Sequence, residues 1–515
     1  MALFRSVATV GSLTMVSRLF GFARDMLTAA ILGAGPVADA FFVAQRLPNL
    51  FRSLFAEGAF SAAFVPLANR ALVDGGEVAL KDFAEQAYAV LFTALLAFVI
   101  LGEIFMPLVM NLIAPGFAAE PGKFQLVVTL SRITFPYLLF ISLVALQGGL
   151  LNTVDRFAAA ATPVLLNLFL IAALATMAAL HWTDGEVLAW ALTAAGVAQF
   201  CWLMVSCAHA GIRLRLRRPR FTPQVLRTLK IMGPGVLGAG VTQLNLLIST
   251  ALASTLPQGS VSYLYYADRL NQLPLGVVGI AVATAILPPL SRQVRGGDTT
   301  GAIATQNRGL ELALLLTLPA ATALAILALP ILTVLFERGA FGPREAAATA
   351  SALIAYAVGL PAFVLVKVLA PAFFARHDTA TPVKVAIVAL ATNLLLTLVL
   401  MRFLAHVGVA IALSAAGWLQ AVMLLVLLAR RGHFHFDARA RANLPRIALA
   451  TLGMAAVLVV LRSLLDPALA GAVAVRLAAL AGLVAAGFAA FTALILLLGV
   501  THWRELRGQF RRQPA

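Results

Sequence analysis

The sequence predicts an all-α protein that crosses a membrane many times. Of its 515 residues, 61% are apolar and 11% are charged, whereas a soluble globular chain is about 45–50% apolar and about 25% charged. Apolar stretches long enough to cross about 30 Å of hydrocarbon as a helix recur from one end of the chain to the other. A soluble chain of this size would need far more polar surface to cover its core.

We expect fourteen transmembrane helices. Charged residues interrupt the apolar runs of the first two helices. A signal peptide has a short uninterrupted apolar run, so we expect the N-terminus to be a retained helix and not a signal peptide. The approximate cores are residues 6–32, 38–67, 87–113, 126–152, 158–180, 187–208, 226–255, 261–291, 309–336, 346–374, 381–401, 407–429, 445–464 and 475–499.

The basic residues predict the orientation, because connections on the cytoplasmic side of a membrane protein carry an excess of lysine and arginine. Of the 38 lysines and arginines, 25 fall in connections on one side and six on the other, with seven inside spans. This bias places both termini in the cytoplasm. It also explains most of the net charge of +17 without a nucleic-acid partner.

An internal repeat relates the two halves of the chain. ADAFFVAQRLPNL at 38–50 aligns with VSYLYYADRLNQL at 261–273, and ALTAAGVAQ at 191–199 aligns with ALSAAGWLQ at 412–420. The matches keep their order at offsets of about 220 residues, which chance similarity between Ala/Leu-rich helices does not explain.

Six spans, a copy of those six and two further spans account for the chain. An even number of spans per copy makes the two lobes parallel, related by an axis along the membrane normal, around a central cavity of the kind that transporters use. The predicted domains are an N-lobe at 1–212 (helices 1–6), a basic cytoplasmic linker at 213–224, a C-lobe at 225–431 (helices 7–12), a cytoplasmic loop at 432–444, and helices 13–14 with a cytoplasmic tail at 445–515.

Ionisable residues inside the predicted spans are the candidate functional groups. Such groups are costly at membrane depth and usually face a cavity or a partner. The alternative is structural, with side chains that snorkel to the interface or form ion pairs such as Arg24 with Asp39. The set comprises Arg18, Arg24, Asp25, Asp39, Arg46, Arg52, Glu57, Glu103, Arg132, Asp268, Arg269 and Lys367.

The spacing of the first arginines requires a bend if they are to face one cavity. Arg18 and Arg24 are six residues apart, so on a straight helix their directions differ by about 120°. The same spacing recurs in the second span. Gly21 and Pro48 are the candidate breaks, and Pro48 should also free a carbonyl group near Asn49.

Charge balance favours an anionic substrate over a cationic one. Cations outnumber acids in the first lobe, and an excess of buried cations needs an anion. The planar fork of arginine suits phosphate oxygens, so a pyrophosphate-bearing substrate is the preferred hypothesis. No catalytic triad, metal-binding motif or nucleotide-binding loop is apparent in the sequence, so neither an enzyme nor a metal site is expected.

Three segments resemble the MurJ/MviN family, the peptidoglycan lipid II flippases of the multidrug/oligosaccharidyl-lipid/polysaccharide superfamily. They are SRLFGFARDMLTAAILGAGPVADAFFVAQRLPNLFRSLFAEGAFSAAFVPL at 17–67, YYADRLNQLPLGVVGIAVATAILPPLSR at 265–292 and FFARHDTATPVKVA at 373–386. The resemblance covers the whole chain in order. It implies two six-helix lobes, alternating access around a cationic cavity, a groove for the polyprenyl tail formed by the last two spans, and a location in the bacterial inner membrane.

The resemblance also implies particular residues. Gln272 and Ser53 stand where some relatives carry an acid and a second basic residue. Asp378 and Asn393 are cation candidates, since transport could be coupled to sodium, protons or the membrane potential; no cofactor is expected. The implied substrate-binding residues are Arg18, Arg24, Asp39, Asn49, Arg52, Glu57 and Arg269.

Lipid II flipping is therefore the leading hypothesis. The second is transport of another polyprenyl-linked glycan, or of a drug in exchange for an ion. A third is a membrane scaffold that recruits cell-wall synthesis proteins, which would not need cavity arginines. Lipid II, membrane lipids and such synthesis proteins are the expected partners.

Overall fold

The computed structural model describes the backbone of residues 2–53, 59–154, 156 and 161–500, and their side chains except at 2–11, 59–62, 233–239, 241–242, 280–281 and 283–284. Over these residues the chain is all-α, as predicted. The helices are α1 (Ala2–Leu32), α2 (Pro36–Arg52), α3 (Ala59–Ile104), α4 (Met106–Ile113), α5 (Pro121–Thr134), α6 (Tyr137–Thr153), α7 (Thr162–Leu180), α8 (Glu186–His209), α9 (Pro223–Ser254), α10 (Ser260–Arg295), α11 (Thr299–Ile326), α12 (Ala328–Leu335), α13 (Pro343–Phe374), α14 (Ala380–Arg430), α15 (Ala438–Leu469) and α16 (Val473–Leu497), with a 3₁₀ turn (Pro115–Ala119) before α5.

Within the described residues, the predicted spans lie mainly in helices, but the breaks fall differently. The eleventh and twelfth spans lie in the single helix α14, which kinks at Ala405, where φ is 46°. The second span likewise continues into the third within α3, through a kink at Gly76 with φ 66°. Conversely, interruptions before α4, α6 and α12 divide single predicted spans. Pro107 and Pro136 account for two of these, because proline lacks the N–H that a continuing helix needs.

Nine helices in the described part of the chain are long and apolar enough to cross a membrane, and the count of fourteen is not confirmed. Helices α1, α2, α9 and α10 are not among the nine. They correspond to the first two helices of each predicted lobe, and they hold most of the ionisable residues expected at membrane depth. The more polar helices therefore occupy equivalent places in the repeat.

Contacts between residues divide the chain into two compact units, Met1–Ser262 with Arg338–Phe341 and Tyr263–Glu337 with Gly342–Ala515. In the first unit, α1 packs on α7, α2 on α5 and α6, and α9 on α3. In the second, α13 packs on α11 and α14, while the α15–α16 pair lies against α11 and α12. The lobe boundaries at the linker 213–224 rest on the sequence repeat and stay a prediction.

The repeated ALTAAGVAQ and ALSAAGWLQ motifs make matching hydrogen bonds within their own units. The Oγ1 of Thr193 donates to the carbonyl oxygen of Ile133 at 2.5 Å. At the aligned position, the Oγ of Ser414 donates to the carbonyl oxygen of Ala355 at 2.7 Å. Each hydroxyl thus ties its helix to the backbone of a neighbouring helix, which isolated sequence matches would not require.

The glycine of each motif also packs closely against an aromatic ring. A Cβ atom added to Gly196 would lie 2.6 Å from Cδ2 of Tyr137, and one added to Gly417 would lie 2.5 Å from Cε1 of Phe363. Both distances are far below ordinary contact, so only glycine lets these helices approach as they do.

Alanine at either glycine should therefore destabilise the protein. We expect Gly196→Ala and Gly417→Ala each to cost about 1–3 kcal/mol, the usual effect of overpacking, and to lower the thermal unfolding midpoint in detergent. Gly482→Ala on α16 is the matched control, since its added Cβ meets no atom within 4 Å. Unchanged midpoints for both motif variants would contradict this packing.

Candidate functional site

The side chain of Arg24 is fixed on α1 by two partners. Its Nε and Nη2 donate to Oδ1 of Asp25 at 3.0 and 2.6 Å, and its Nη1 donates to Oδ1 of Asn167 on α7 at 3.1 Å. The side chains of Arg24 and Asp25 are 11% and 6% exposed. The suggested ion pair of Arg24 with Asp39 was therefore wrong, because the adjacent Asp25 takes that place.

Asn167 is a site residue that sequence reasoning missed. Its Nδ2 donates to the carbonyl oxygen of Ser17 at 2.9 Å while its Oδ1 accepts from Arg24, so one amide holds two turns of α1. Gly21 lies beside it, and an added Cβ would come within 3.5 Å of Nδ2. Helix α1 runs unbroken through Gly21, so the expected break is absent there. The available signal was a lone asparagine in the apolar run TPVLLNLFL.

Pro48 does not interrupt α2 either. Because its nitrogen has no hydrogen, it leaves the carbonyl group four residues earlier, that of Ala44, without a helical partner. The Oγ1 of Thr134 on α5 donates to this oxygen at 3.3 Å. The freed carbonyl is thus at Ala44, and not near Asn49 as expected. Asn49 instead donates through Nδ2 to the carbonyl oxygen of Gln45 at 2.9 Å.

Polar neighbours orient two further arginines of α2. The Nη1 of Arg46 donates to the Oγ1 of Thr250 on α9, a residue only 1% exposed. The Nε of Arg52 donates to Oδ1 of Asn49 at 3.3 Å. Arg18, on α1, is partly exposed, and its side chain makes no hydrogen bond or ion pair with the residues that the structure describes. Of the predicted set, Arg52 and Asn49 are in direct contact among the residues of the first unit that the structure describes.

Asp39 lies in a fully connected buried cluster. Its Oδ2 accepts from Nζ of Lys123 at 3.0 Å and from the backbone N–H of Gly259 at 2.9 Å. Its Oδ1 accepts from the N–H and the hydroxyl of Ser262 at 3.0 and 2.7 Å. Asp39 is 1% exposed and Lys123 is 7% exposed, with Nζ of Lys123 4.2 Å from the ring centroid of Phe117.

This cluster caps α10. The first N–H groups of a helix have no partner within the helix, and its N-terminus favours negative charge. Asp39 supplies both an acceptor and a charge at the start of α10, and Lys123 balances that charge. Lys123 counted as a loop residue in the sequence, and no local pattern marked it as a partner of Asp39.

The remaining candidates lie elsewhere. Glu57 is outside the described residues. In the second unit, the guanidinium carbon of Arg269 lies 4.7 Å from the ring centroid of Tyr265, a distance at which a cation is attracted to the ring face. Gln272, where some relatives carry an acid, donates through Nε2 to Asp268.

The structure does not bring the two cation candidates together. Asp378 accepts from the N–H and hydroxyl of Thr381 at 2.9 and 2.6 Å and pairs with Nη1 of Arg431 at 2.6 Å. The Thr381 hydroxyl, followed by Arg431, holds the pKa of Asp378 well below its ordinary value. Asn393 is buried 13 residues into α14, about 20 Å along the helix axis. The two side chains therefore cannot bind one ion.

Positive charge exceeds negative charge on α1 and α2. From Ser12 to Arg52 these helices carry four arginines against two carboxylates, and one of these, Asp39, already pairs with Lys123. The described residues contain no group of three His, Cys, Asp or Glu side chains that could hold a metal ion. The arrangement suits an anion with several oxygen acceptors, for which arginine provides bidentate hydrogen bonds.

Comparisons with known proteins agree on one family. The model of the family described as "Lipid II flippase MurJ" matches residues 28–479. A probable lipid II flippase MurJ of Rhizobium meliloti (strain 1021) is 46% identical over 523 residues, covering 99% of this chain and 97% of that protein. The lipid II flippase MurJ of Burkholderia cenocepacia is 38% identical, covering 84% and 85%.

Two solved structures extend the comparison. Lipid II flippase MurJ in an inward closed conformation is 26% identical and matches with a TM-score of 0.80, covering 97% of this chain and 100% of its own. An inward-facing multidrug resistance MATE family transporter is 15% identical with a TM-score of 0.66, covering 81% and 94%. The second likeness shows the fold alone.

The Asp39–Lys123 cluster yields a stability prediction. Asp39→Asn should cost about 3–5 kcal/mol, because it leaves the Lys123 ammonium buried without its counter-charge. The double variant Asp39→Asn, Lys123→Met should recover part of that loss. Asp82→Asn is the control: its pair with Arg217 is 61% and 46% exposed, so its loss should cost under about 1 kcal/mol. Denaturant unfolding in detergent measures all three, and equal effects of Asp39→Asn and Asp82→Asn would contradict the cluster.

Proposed function

Because the chain belongs to the lipid II flippase MurJ family, we propose that it moves lipid II, the undecaprenyl-pyrophosphate-linked peptidoglycan precursor, from the cytoplasmic to the periplasmic leaflet by alternating access. The protein is a multi-pass transporter of the bacterial inner membrane. The observation that carries the proposal is the excess of arginine over acidic residues on α1 and α2.

The arginines bind the pyrophosphate. An arginine inside the hydrocarbon thickness costs about 2.5–3.5 kcal/mol on insertion scales, and a doubly charged pyrophosphate offsets that cost only while it is bound. Asn167 and Asp25 hold the guanidinium group of Arg24 in one orientation, and in the proposed complex phosphate oxygens replace Asp25 at its Nε and Nη2 donors. Arg18, Arg52 and Arg269 complete the proposed set, as the family resemblance implies.

Asp39 stabilises one conformation of the transport cycle by joining two helices. Its carboxylate joins α2 to the first turn of α10 through Gly259 and Ser262. Opening of the cavity at this end of α2 requires these hydrogen bonds to break, and the ion pair with Lys123 holds the carboxylate in place for their re-formation. Asp39 therefore acts on the conformational equilibrium and not as a direct ligand of the substrate.

The apolar tail of the substrate stays in lipid or along α15 and α16. These helices share a core with Leu327, Met454 and Leu483, while their other faces expose large apolar side chains such as Leu452 and Phe488. An exposed apolar surface of this kind suits a polyprenyl chain, because moving that chain into a polar cavity would forfeit its apolar burial.

Orientation and energy coupling are also part of the proposal. The charge bias supports cytoplasmic termini; labelling of Arg218→Cys from outside intact cells, in a cysteine-free background, would contradict this.

We propose coupling to sodium, protons or the membrane potential, without a shared ion site at Asp378 and Asn393. Measuring lipid II transport in proteoliposomes, with a sodium gradient, a proton gradient or a membrane potential imposed in turn, distinguishes the three driving forces.

Substitution of the arginines tests the mechanism. Alanine at Arg18, Arg24, Arg52 or Arg269 removes charge-assisted hydrogen bonds worth about 1.5–3 kcal/mol each, equivalent to a loss of transport of about tenfold or more. Lysine keeps the charge without the fork and should rescue only in part. The measurement is cell survival after depletion of the native copy, with membrane abundance quantified for every variant.

Arg430→Ala, at the exposed end of α14, is the control and should support normal survival. Normal survival of all four alanine variants would falsify the anion-cavity mechanism. If the variants instead fail to accumulate in the membrane, the arginines are structural, and the scaffold hypothesis returns.

A further inference from the structure

A cavity of about 470 Å³ lies where α14 ends and the chain turns into α15, away from the arginines of α1 and α2 in the sequence and entirely within the second unit. Its walls are mainly apolar, with two basic side chains among them. The lining residues are Leu425, Val426, Ala429, Phe434, His435, Phe436 and Arg441.

The loop that forms one wall is held firmly. On α11, Gln306 and Asn307, which are 2% and 0% exposed, donate through Nε2 and Nδ2 to the carbonyl oxygens of His433 and His435 at 3.3 and 2.9 Å. These buried amides fix the backbone on either side of Phe434. The wall is thus already in place before any ligand arrives.

Aromatic packing and a helix cap fix the rest of the loop. The rings of Phe434 and Phe436 meet edge to face with centroids 5.1 Å apart. Asp437 accepts from the N–H of Ala440 at 2.7 Å at the start of α15 and pairs with Arg308. The direction in which α15 leaves the loop, and with it the position of Arg441, is therefore set.

Arg441 gives the cavity its charge. Its Nε donates to the carbonyl oxygen of Phe436 at 2.9 Å, which aligns the guanidinium group beside the loop. No carboxylate pairs with it among the residues that the structure describes. By contrast, the nearby Arg431 and Arg439 face Asp378 and Glu311 at 2.6 and 3.6 Å. Arg441 therefore retains donors for an anion from outside the chain.

We propose that this cavity binds an anionic glycerophospholipid from the leaflet that surrounds this end of α14. Its apolar wall continues onto the exposed side of α14, where Val422 and Val426 are 50% and 41% exposed, as lipid-facing residues are. An acyl chain would follow these residues, and the phosphate would meet Arg441 and His435. Basic pockets at the ends of membrane helices are suited to anionic headgroups.

Native mass spectrometry of the full-length protein in detergent tests the site, with phosphatidylglycerol and phosphatidylcholine as probes. The wild type should bind phosphatidylglycerol in preference to phosphatidylcholine. Arg441→Gln should weaken phosphatidylglycerol binding by about tenfold, since hydrogen bonds to charged groups are the strong ones, and Arg441→Lys should lose less. Ala429→Trp, which fills the cavity and keeps every charge, should weaken both lipids.

Arg430→Gln is the matched control, because Arg430 adjoins the cavity without lining it. An equal loss in Arg430→Gln and Arg441→Gln would overturn the proposal in favour of general surface charge. Unaltered binding in Ala429→Trp would show that the cavity is not used. Displacement of the lipid by millimolar inorganic phosphate would mean that the site recognises the phosphate alone, which also overturns it.

Discussion

The cost of placing polar groups in hydrocarbon governs this structure. Water is absent at membrane depth, so each backbone carbonyl and each charged side chain needs a partner within the protein. Two prolines show how this requirement is met. Pro48 frees the carbonyl of Ala44, which Thr134 satisfies, and Pro330 leaves that of Ile326, to which Nη1 of Arg462 donates at 2.7 Å. At both prolines a neighbouring side chain completes the hydrogen bonding that the helix loses.

The same requirement separates structural charges from functional ones. Asp39 accepts four hydrogen bonds within the chain, one of them from the cationic Lys123, so its charge is satisfied. Arg46 and Arg52 contact the neutral oxygens of Thr250 and Asn49, which orient their guanidinium groups. The excess of positive charge on α1 and α2 is consistent with an anion that comes and goes, which is the behaviour of a transported pyrophosphate.

Much of the fold followed from the sequence, because helix length and apolarity depend on neighbouring residues. The helical spans and the charged character of α1, α2 and α10 are local properties, and the repeat is recognised by comparing such local patterns in the two halves. The partners of the site residues are not local. Asp39 meets Lys123 and Ser262, which lie 84 and 223 residues away along the chain, and Asn167 reaches Arg24 from 143 residues away. Such contacts depend on how helices pack, which periodicity does not determine.

One of these contacts joins equivalent positions of the sequence repeat. Positions 39 and 262 are aligned by the offset of 223 residues, and they hydrogen-bond to each other. This contact lies within the first unit and joins α2 to the first turn of α10.

Lipid II exposed on the outer leaflet is the most direct measure of the central claim. In its host, depletion of this protein should lower the amount of lipid II accessible from outside intact cells while total lipid II is maintained or rises, and re-expression should restore the accessible fraction. An unchanged outward-facing fraction after depletion, with the protein absent from the membrane, would contradict the assignment of lipid II as its substrate.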